Sequence, residues 1–223
     1  MRKPEIDYRE LRLSNLNSDK FKHLRLLLYW PIYGLFFFFV ERLYDASEYF
    51  SVYTTIDDLI PFCEIFLIPY LFWFVYLIGM HVYTLLYDVA AFRKMMYFVM
   101  ITYSVTIIIY LIFPTCQDLR PTEFERDNFL TRFMTSFYAF DTNTNVCPSI
   151  HVIGSLAVML TSFHCRNFGK GTKFAFTVSG VLIAISTVFV KQHSVIDVLA
   201  AIPICAIAYV ICYRRDHSKY YFE

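Results

Sequence analysis

Residues 195–212 read V-I-D-V-L-A-A-I-P-I-C-A-I-A-Y-V-I-C, a run in which Asp197 is the one charged side chain. An α-helix rises 1.5 Å per residue, so about 18–20 apolar residues carry it across a bilayer core of ~30 Å. The run is continuous rather than alternating, which selects a helix over the period-two pattern of a barrel strand. Five similar runs precede it, from Leu26 to Val40, Leu59 to Leu86, Met95 to Phe113, Ser149 to Phe163 and Phe174 to Val190. The composition agrees. Of 223 residues 57% are hydrophobic and 17% charged, whereas soluble domains hold about 45–50% and ~25%. A net charge of +1 argues against a nucleic-acid partner. The chain therefore reads as an all-α integral membrane protein, a six-transmembrane-helix bundle spanning residues 26–212 as one domain. Residues 1–25 and 213–223 form tails.

The first apolar run follows about 25 polar residues and no small-residue cleavage site follows it, so it reads as a retained anchor. The second run is too long for the bilayer; tilting, with Pro61 and Pro69 as kinks, accommodates it. Lys and Arg set the orientation. The tails and the connections 87–94 and 164–173 carry fifteen of them, and the remaining connections carry five. Both termini are thus expected in the cytoplasm, in a multi-pass arrangement.

The long outer connection, 114–148, contains Thr122 and Glu125 in a T-x-x-E capping pattern that predicts a helix start. Phe129, Phe133 and Phe137 follow at four-residue spacing, giving that amphipathic loop helix one apolar face. It either lies on the membrane surface or covers a site.

Two histidines fall at outer span ends, His151 and His193; His23 and His217 lie in the tails, and His81 and His164 near inner ends. A lone interfacial histidine usually carries no chemistry, but His193 is followed four residues later by Asp197. That spacing places both on one helix face, where the carboxylate fixes the ring tautomer and frees the other nitrogen as a nucleophile. A charged aspartate inside a membrane helix is costly and points to function.

His151 lies in N-V-C-P-S-I-H. Pro148 suits the first helical position, with Asn145 or Asn143 as cap, so that the N–H groups around Ser149 form an anion site. Arg120 adds a fork-shaped cation in the same layer, and Lys191 a second. Two histidines, N–H donors and cations together describe phosphoryl transfer.

The order Arg120-Pro121, then Pro148-Ser149-Ile150-His151, then Ser186-Thr187 with His193 and Asp197 resembles the type 2 phosphatidic acid phosphatase superfamily. That family includes lipid phosphatases and inositol- and choline-phosphoryl lipid transferases. The resemblance implies that His193 forms a phosphohistidine, Asp197 orients it and His151 serves as general acid. Arg120 and the backbone around Ser149 would hold phosphate oxygens, and no metal or cofactor is implied. Phe113, Thr187 and Ile150 stand where the family has Lys, Arg and Gly. A site short of two cations tolerates a singly charged phosphodiester better than a phosphomonoester. The substrate is then a lipid phosphate and the acceptor is water or a lipid hydroxyl.

Glu64, at the outer end of the second span, either pairs with Arg120, contacts a substrate hydroxyl, or simply reaches water. Asp141 reads as a loop cap. Cys116 and Cys147 bracket the outer loop, where a disulfide would staple it; isolated membrane cysteines are otherwise small apolar fillers, the reading for Cys63, Cys165, Cys205 and Cys212. Two other classes of function stand beside the enzyme: a non-enzymatic transporter or lipid-binding protein, and a metal site of His151, His193, Asp197 and Glu64.

Overall fold

The computed structural model describes residues 3–44 and 46–214. The C-terminal tail beyond Arg214, His217 included, lies outside the described residues. The helices are α1 (Tyr29–Arg42), α2 (Thr55–Leu59), α3 (Leu67–Tyr87), α4 (Val89–Ile112), α5 (Phe129–Phe140), α6 (Ile150–His164), α7 (Lys170–Phe189) and α8 (Val195–Tyr209). Two short strands, β1 (Phe50–Ser51) and β2 (Thr115–Cys116), pair in parallel. Among the described residues, five helical stretches are long and apolar enough to cross a membrane: Lys22–Arg42, Glu64–Tyr87, Val89–Ile112, Lys170–Phe189 and Val195–Arg214. The sixth expected span, α6, is apolar but only 15 residues long.

That short helix is the axis of the bundle. It packs against α3, α4, α7 and α8, and Ile153, Ala157 and Val158 are fully buried. The outer helices are exposed instead through Leu35, Phe36, Phe72, Val75, Ile108 and Ile202. An apolar exterior of this kind suits hydrocarbon rather than water. Hydroxyls inside the bundle bond one turn back: Thr102 to the Phe98 carbonyl, Thr106 to Thr102, Ser155 to His151 and Thr161 to Ala157. Each satisfies its donor within its own helix and needs no water.

Local chemistry sets several boundaries differently from the sequence expectation. The second span begins at Glu64 rather than Leu59. Pro61 sits in the loop ahead of it and Pro69 in the first turn of α3, where the missing N–H costs little, so neither divides the helix interior. Asp88 caps α4, which begins at Val89, six residues before Met95; its carboxylate accepts from the Ala91 N–H. The same carboxylate receives the Arg166 N–H, and Arg166 bridges to Glu5. Part of the N-terminal tail is thereby folded against the turns that join α3 to α4 and α6 to α7.

In the outer loop, Thr122 and Glu125 do not cap a helix. Asn128 does, accepting from the Leu130 and Thr131 N–H groups while the Thr131 hydroxyl accepts from the Asn128 N–H. The residue that bonds both exposed amides wins the cap. The buried face of α5 is Thr131 and Met134, whereas Phe129, Phe133 and Phe140 point outward. Cys116 and Cys147 are unpaired, as are the other four cysteines.

Gly154 of α6 is the most closely packed of the described glycines. A Cβ there would meet Trp73 Nε1 at 2.7 Å and the Tyr103 hydroxyl at 2.8 Å. Gly154→Ala is expected to destabilise the bundle by about 1–3 kcal/mol through overpacking. Gly34→Ala, with nothing within 4 Å, is expected to leave the melting midpoint in detergent unchanged or slightly raised; equal midpoints for the two variants would contradict the packing described.

Candidate active site

The mouth of α8 is organised by Ser194 and Asp197. Ser194 is the N-cap and its side chain accepts from the Ile196 N–H, while Asp197 Oδ2 accepts from the Ser194 N–H at 3.0 Å. The same Oδ2 lies 3.0 Å from His193 Nδ1. The expected His–Asp contact is therefore present but does not arise from a shared helix face. His193 precedes the cap, and the carboxylate reaches back to it because a capping box folds the third helical residue toward the chain entering the helix. The S-x-x-D spacing of Ser194 and Asp197 carried that signal.

Asp57, at 0% exposure, buttresses this mouth. Its Oδ2 accepts from the Ser194 hydroxyl at 2.6 Å and the Thr54 N–H at 2.9 Å, and its Oδ1 from the Val195 N–H at 2.9 Å. Its backbone carbonyl takes Lys191 Nζ at 2.7 Å. Lys191 is thus turned toward Asp57 and away from the histidines. Burial pulls its ammonium below the ordinary lysine value, with Asp57 and Asp58 opposing. The residue has φ 53°, a left-handed turn that lets the Thr187 carbonyl accept from both the Gln192 and His193 N–H groups.

His151 is the second residue of α6. The N-cap of α6 is Ser149 rather than an asparagine, and its first helical residue is Ile150 rather than Pro148; the Ser149 side chain accepts from the Val152 N–H, and its own N–H donates to the Asp197 carbonyl at 3.2 Å. Ser149 therefore fastens α6 to α8, and the N–H groups of Ile150 and His151 have no intrahelical acceptor. Asn145 donates instead to the Val40 carbonyl and Asn143 to that of Gln117. The His151 ring is held between Tyr70 at 4.4 Å and Trp73 at 4.5 Å, with the His193 ring 5.8 Å away. Both histidines are buried, and His151 Nδ1 has no partner among the described residues.

Between the rings lies a chamber of about 40 Å³ also lined by Glu41, Asp141, Tyr110 and Gln192. Ligand pockets run to roughly 300 Å³ or more, so this one is far smaller than a built ligand site. Its remaining walls come from α1, α4 and the 141–146 segment. α5 does not line it but packs on the ring that flanks His151: Phe137 lies edge-on to Tyr70 at 5.6 Å, and the Tyr138 hydroxyl bonds the Val190 carbonyl at 2.6 Å. Glu64 sits beside the start of α5. It meets Asn128 at 3.1 Å and Arg126 at 3.4 Å rather than Arg120.

Arg120 enters the same layer with its donors already engaged. Nη1 bonds the Tyr138 and Asp141 carbonyls, and Nη2 the Thr142 carbonyl and Gln192 Oε1, with the guanidinium 4.7 Å over the Tyr138 ring. Of five guanidinium N–H groups only that on Nε is without a partner among the described residues. Asp141 caps the end of α5, and its carboxylate accepts from Gln192 Nε2 at 3.0 Å. Burial holds that carboxyl above the ordinary aspartate value, opposed by Arg120. Phe113 stacks on Phe50 and the Thr187 side chain bonds the Ala184 carbonyl, so neither position adds polar reach toward the chamber. Cys147 lies against Asp197, its thiol pushed up to about 12 by burial and the neighbouring carboxylate.

Comparison of the chain with protein-family models, curated proteins and solved structures finds no match. Among the described residues, no three His, Cys, Asp or Glu side chains are grouped to hold a metal ion; Glu64 in particular is drawn off to Asn128 and Arg126.

Sequence reading did not single out Asp57 and Glu41. Asp57→Ala is expected to cost about 1–3 kcal/mol, because the Ser194 hydroxyl and Val195 N–H lose their buried acceptor, and to lower any His193-dependent activity along with it. An unchanged melting midpoint would show that Asp57 does not support the α8 mouth.

Proposed function

We propose that this chain is a six-span membrane enzyme that transfers the phosphoryl-bearing group of a lipid phosphate ester through a phosphohistidine on His193. The carrying observation is the facing pair of buried rings: His193, bonded through Nδ1 to Asp197, and His151, at the N-terminus of α6. The resemblance to the type 2 phosphatidic acid phosphatases assigns the same residues the same roles.

In the first step His193 Nε2 attacks phosphorus and the phosphorus–oxygen bond to the leaving group breaks. His151 passes a proton to that oxygen. Asp197 keeps the Nδ1 proton in place and stabilises the positive ring as charge develops. The Ile150 and His151 N–H groups, with the positive end of α6, receive the phosphate oxygens. In the second step an acceptor hydroxyl attacks phosphorus, the phosphorus–nitrogen bond to His193 Nε2 breaks, and His151 takes the hydroxyl proton.

The charge balance of the chamber favours a phosphodiester. Glu41 and Asp141 line it, Lys191 faces Asp57, and Arg120 spends four donors on carbonyls and Gln192. A doubly charged monoester would meet carboxylates with little compensation. The diester reading makes the enzyme a headgroup transferase whose acceptor is a lipid hydroxyl, and water the acceptor of the phosphatase reading. Admission of a headgroup to so small a chamber requires its walls, among them the 141–146 segment, to move. The site faces the extracytoplasmic side if the positive-inside distribution of Lys and Arg holds.

The test uses purified protein in detergent with EDTA, a labelled phosphodiester lipid with diacylglycerol or ceramide, and separately a labelled phosphomonoester. Headgroup transfer that survives the chelator and falls at least ~10³-fold in His193→Ala and His151→Ala is expected. Glu41→Gln should raise monoester turnover relative to diester. An active His193→Ala variant would sink the phosphohistidine, and silence toward both lipids from folded protein would return a transport or lipid-binding role.

A further inference from the structure

At the other end of α1 and α4 from the histidines is a second cavity of about 550 Å³. Its position follows from the helices themselves: Tyr29, Ile32, Arg93 and Met100 line it, whereas Phe37, Glu41 and Tyr110 line the histidine chamber. Its rim carries Lys22, Arg25 and Arg93, and its wall carries Leu28, Ile32 and Met100. No acidic side chain lines it.

We propose that this cleft binds the anionic headgroup of a phospholipid in the adjoining leaflet, with an acyl chain lying along Leu28 and Ile32. Charge is the first argument. Arg25 and Arg93 make no ion pair or hydrogen bond among the described residues, and the Asp19 that meets Lys22 at 2.8 Å is 95% exposed. The cations are therefore available to an anion. Shape and polarity are the second. Leu28 and Ile32 are 60% and 53% exposed, so the wall continues without a break onto the lipid-facing side of the first membrane stretch, Lys22–Arg42. A small soluble anion would use the rim and leave the aliphatic wall idle. A phospholipid engages both, because its charge and its hydrocarbon are joined in the order the cleft presents them. Basic clusters at the cytoplasmic end of a membrane helix attract acidic lipids by the same physics. The cleft volume also lies in the range of built ligand sites, roughly 300–1,000 Å³.

The full chain, purified in a neutral detergent, is offered dioleoyl phosphatidylglycerol or dioleoyl phosphatidylcholine, and retained lipid is counted by native mass spectrometry across a titration. Preferential retention of phosphatidylglycerol is expected, weakening as salt rises. Arg25→Gln/Arg93→Gln should weaken it about 25-fold, since each basic residue near an anionic surface is worth about five-fold. Arg132→Gln, on the exposed outer loop, should leave it unchanged. If the double glutamine variant melts early, Arg25→Lys/Arg93→Lys, which keeps both charges, is expected to retain the lipid. Equal retention of phosphatidylcholine, an unaffected double glutamine variant, or displacement by soluble glycerol phosphate as effective as by the lipid would each overturn the proposal.

Discussion

A carboxylate buried in an apolar bundle must be answered by donors from the protein itself, and two such carboxylates meet at the mouth of α8. Asp197 and Asp57 are both wholly buried. Between them they take the Ser194 N–H and hydroxyl, the Val195 and Thr54 N–H groups and the His193 ring. These bonds fix where α7 turns into α8 and place α2 beside that turn. Through the Ser149 N–H on the Asp197 carbonyl, they also set where α6 begins. The two histidines face one another because the start of α6, which carries His151, and the turn before α8, which carries His193, are joined here. An unpaired buried carboxylate would cost far more than any single contact here contributes.

Much of this was legible in the sequence, for reasons that differ from residue to residue. Long apolar runs report membrane-length helices directly, since length and hydropathy are local properties; five appear as such. The fourth run, Ser149 to Phe163, is no longer in the sequence than the fifteen residues of α6, short of a full span; a central helix is recognised by what surrounds it rather than by its own length. His151, His193 and Asp197 were visible as a constellation, and the structure brings them together. The route to the His193–Asp197 contact was misread, since periodicity takes a helix as already begun and does not locate its cap. Arg120, Lys191 and Glu64 were expected to converge on the site by residue type and depth alone. Their partners, Gln192 and the 138–142 carbonyls, Asp57, and Asn128, lie 18 to 134 positions away in sequence, and no local pattern announces them. Asp57 and Glu41 escaped notice for the same reason.

The helix of the outer loop divides its two faces. Its inner side packs on Tyr70, which flanks His151, while Phe129, Phe133 and Phe140 project outward. The chamber beside it is poor in available cations, because the Arg120 guanidinium joins the C-terminal end of α5 and the carbonyls after it to Gln192. With four oxygens already bonded, that side chain holds the outer loop together rather than offering its charge to the chamber.

That division of labour has a consequence for the conditions under which the outer layer holds together. Cys116 and Cys147 are both free, and the segments they flank are joined instead by the Arg120 fork, the Asn143 amide on the Gln117 carbonyl, and the Thr115 hydroxyl under the Val146 and Cys147 N–H groups. None of these bonds stores or exchanges electrons. The outer layer is accordingly held by hydrogen bonds that glutathione and other thiol reductants do not break.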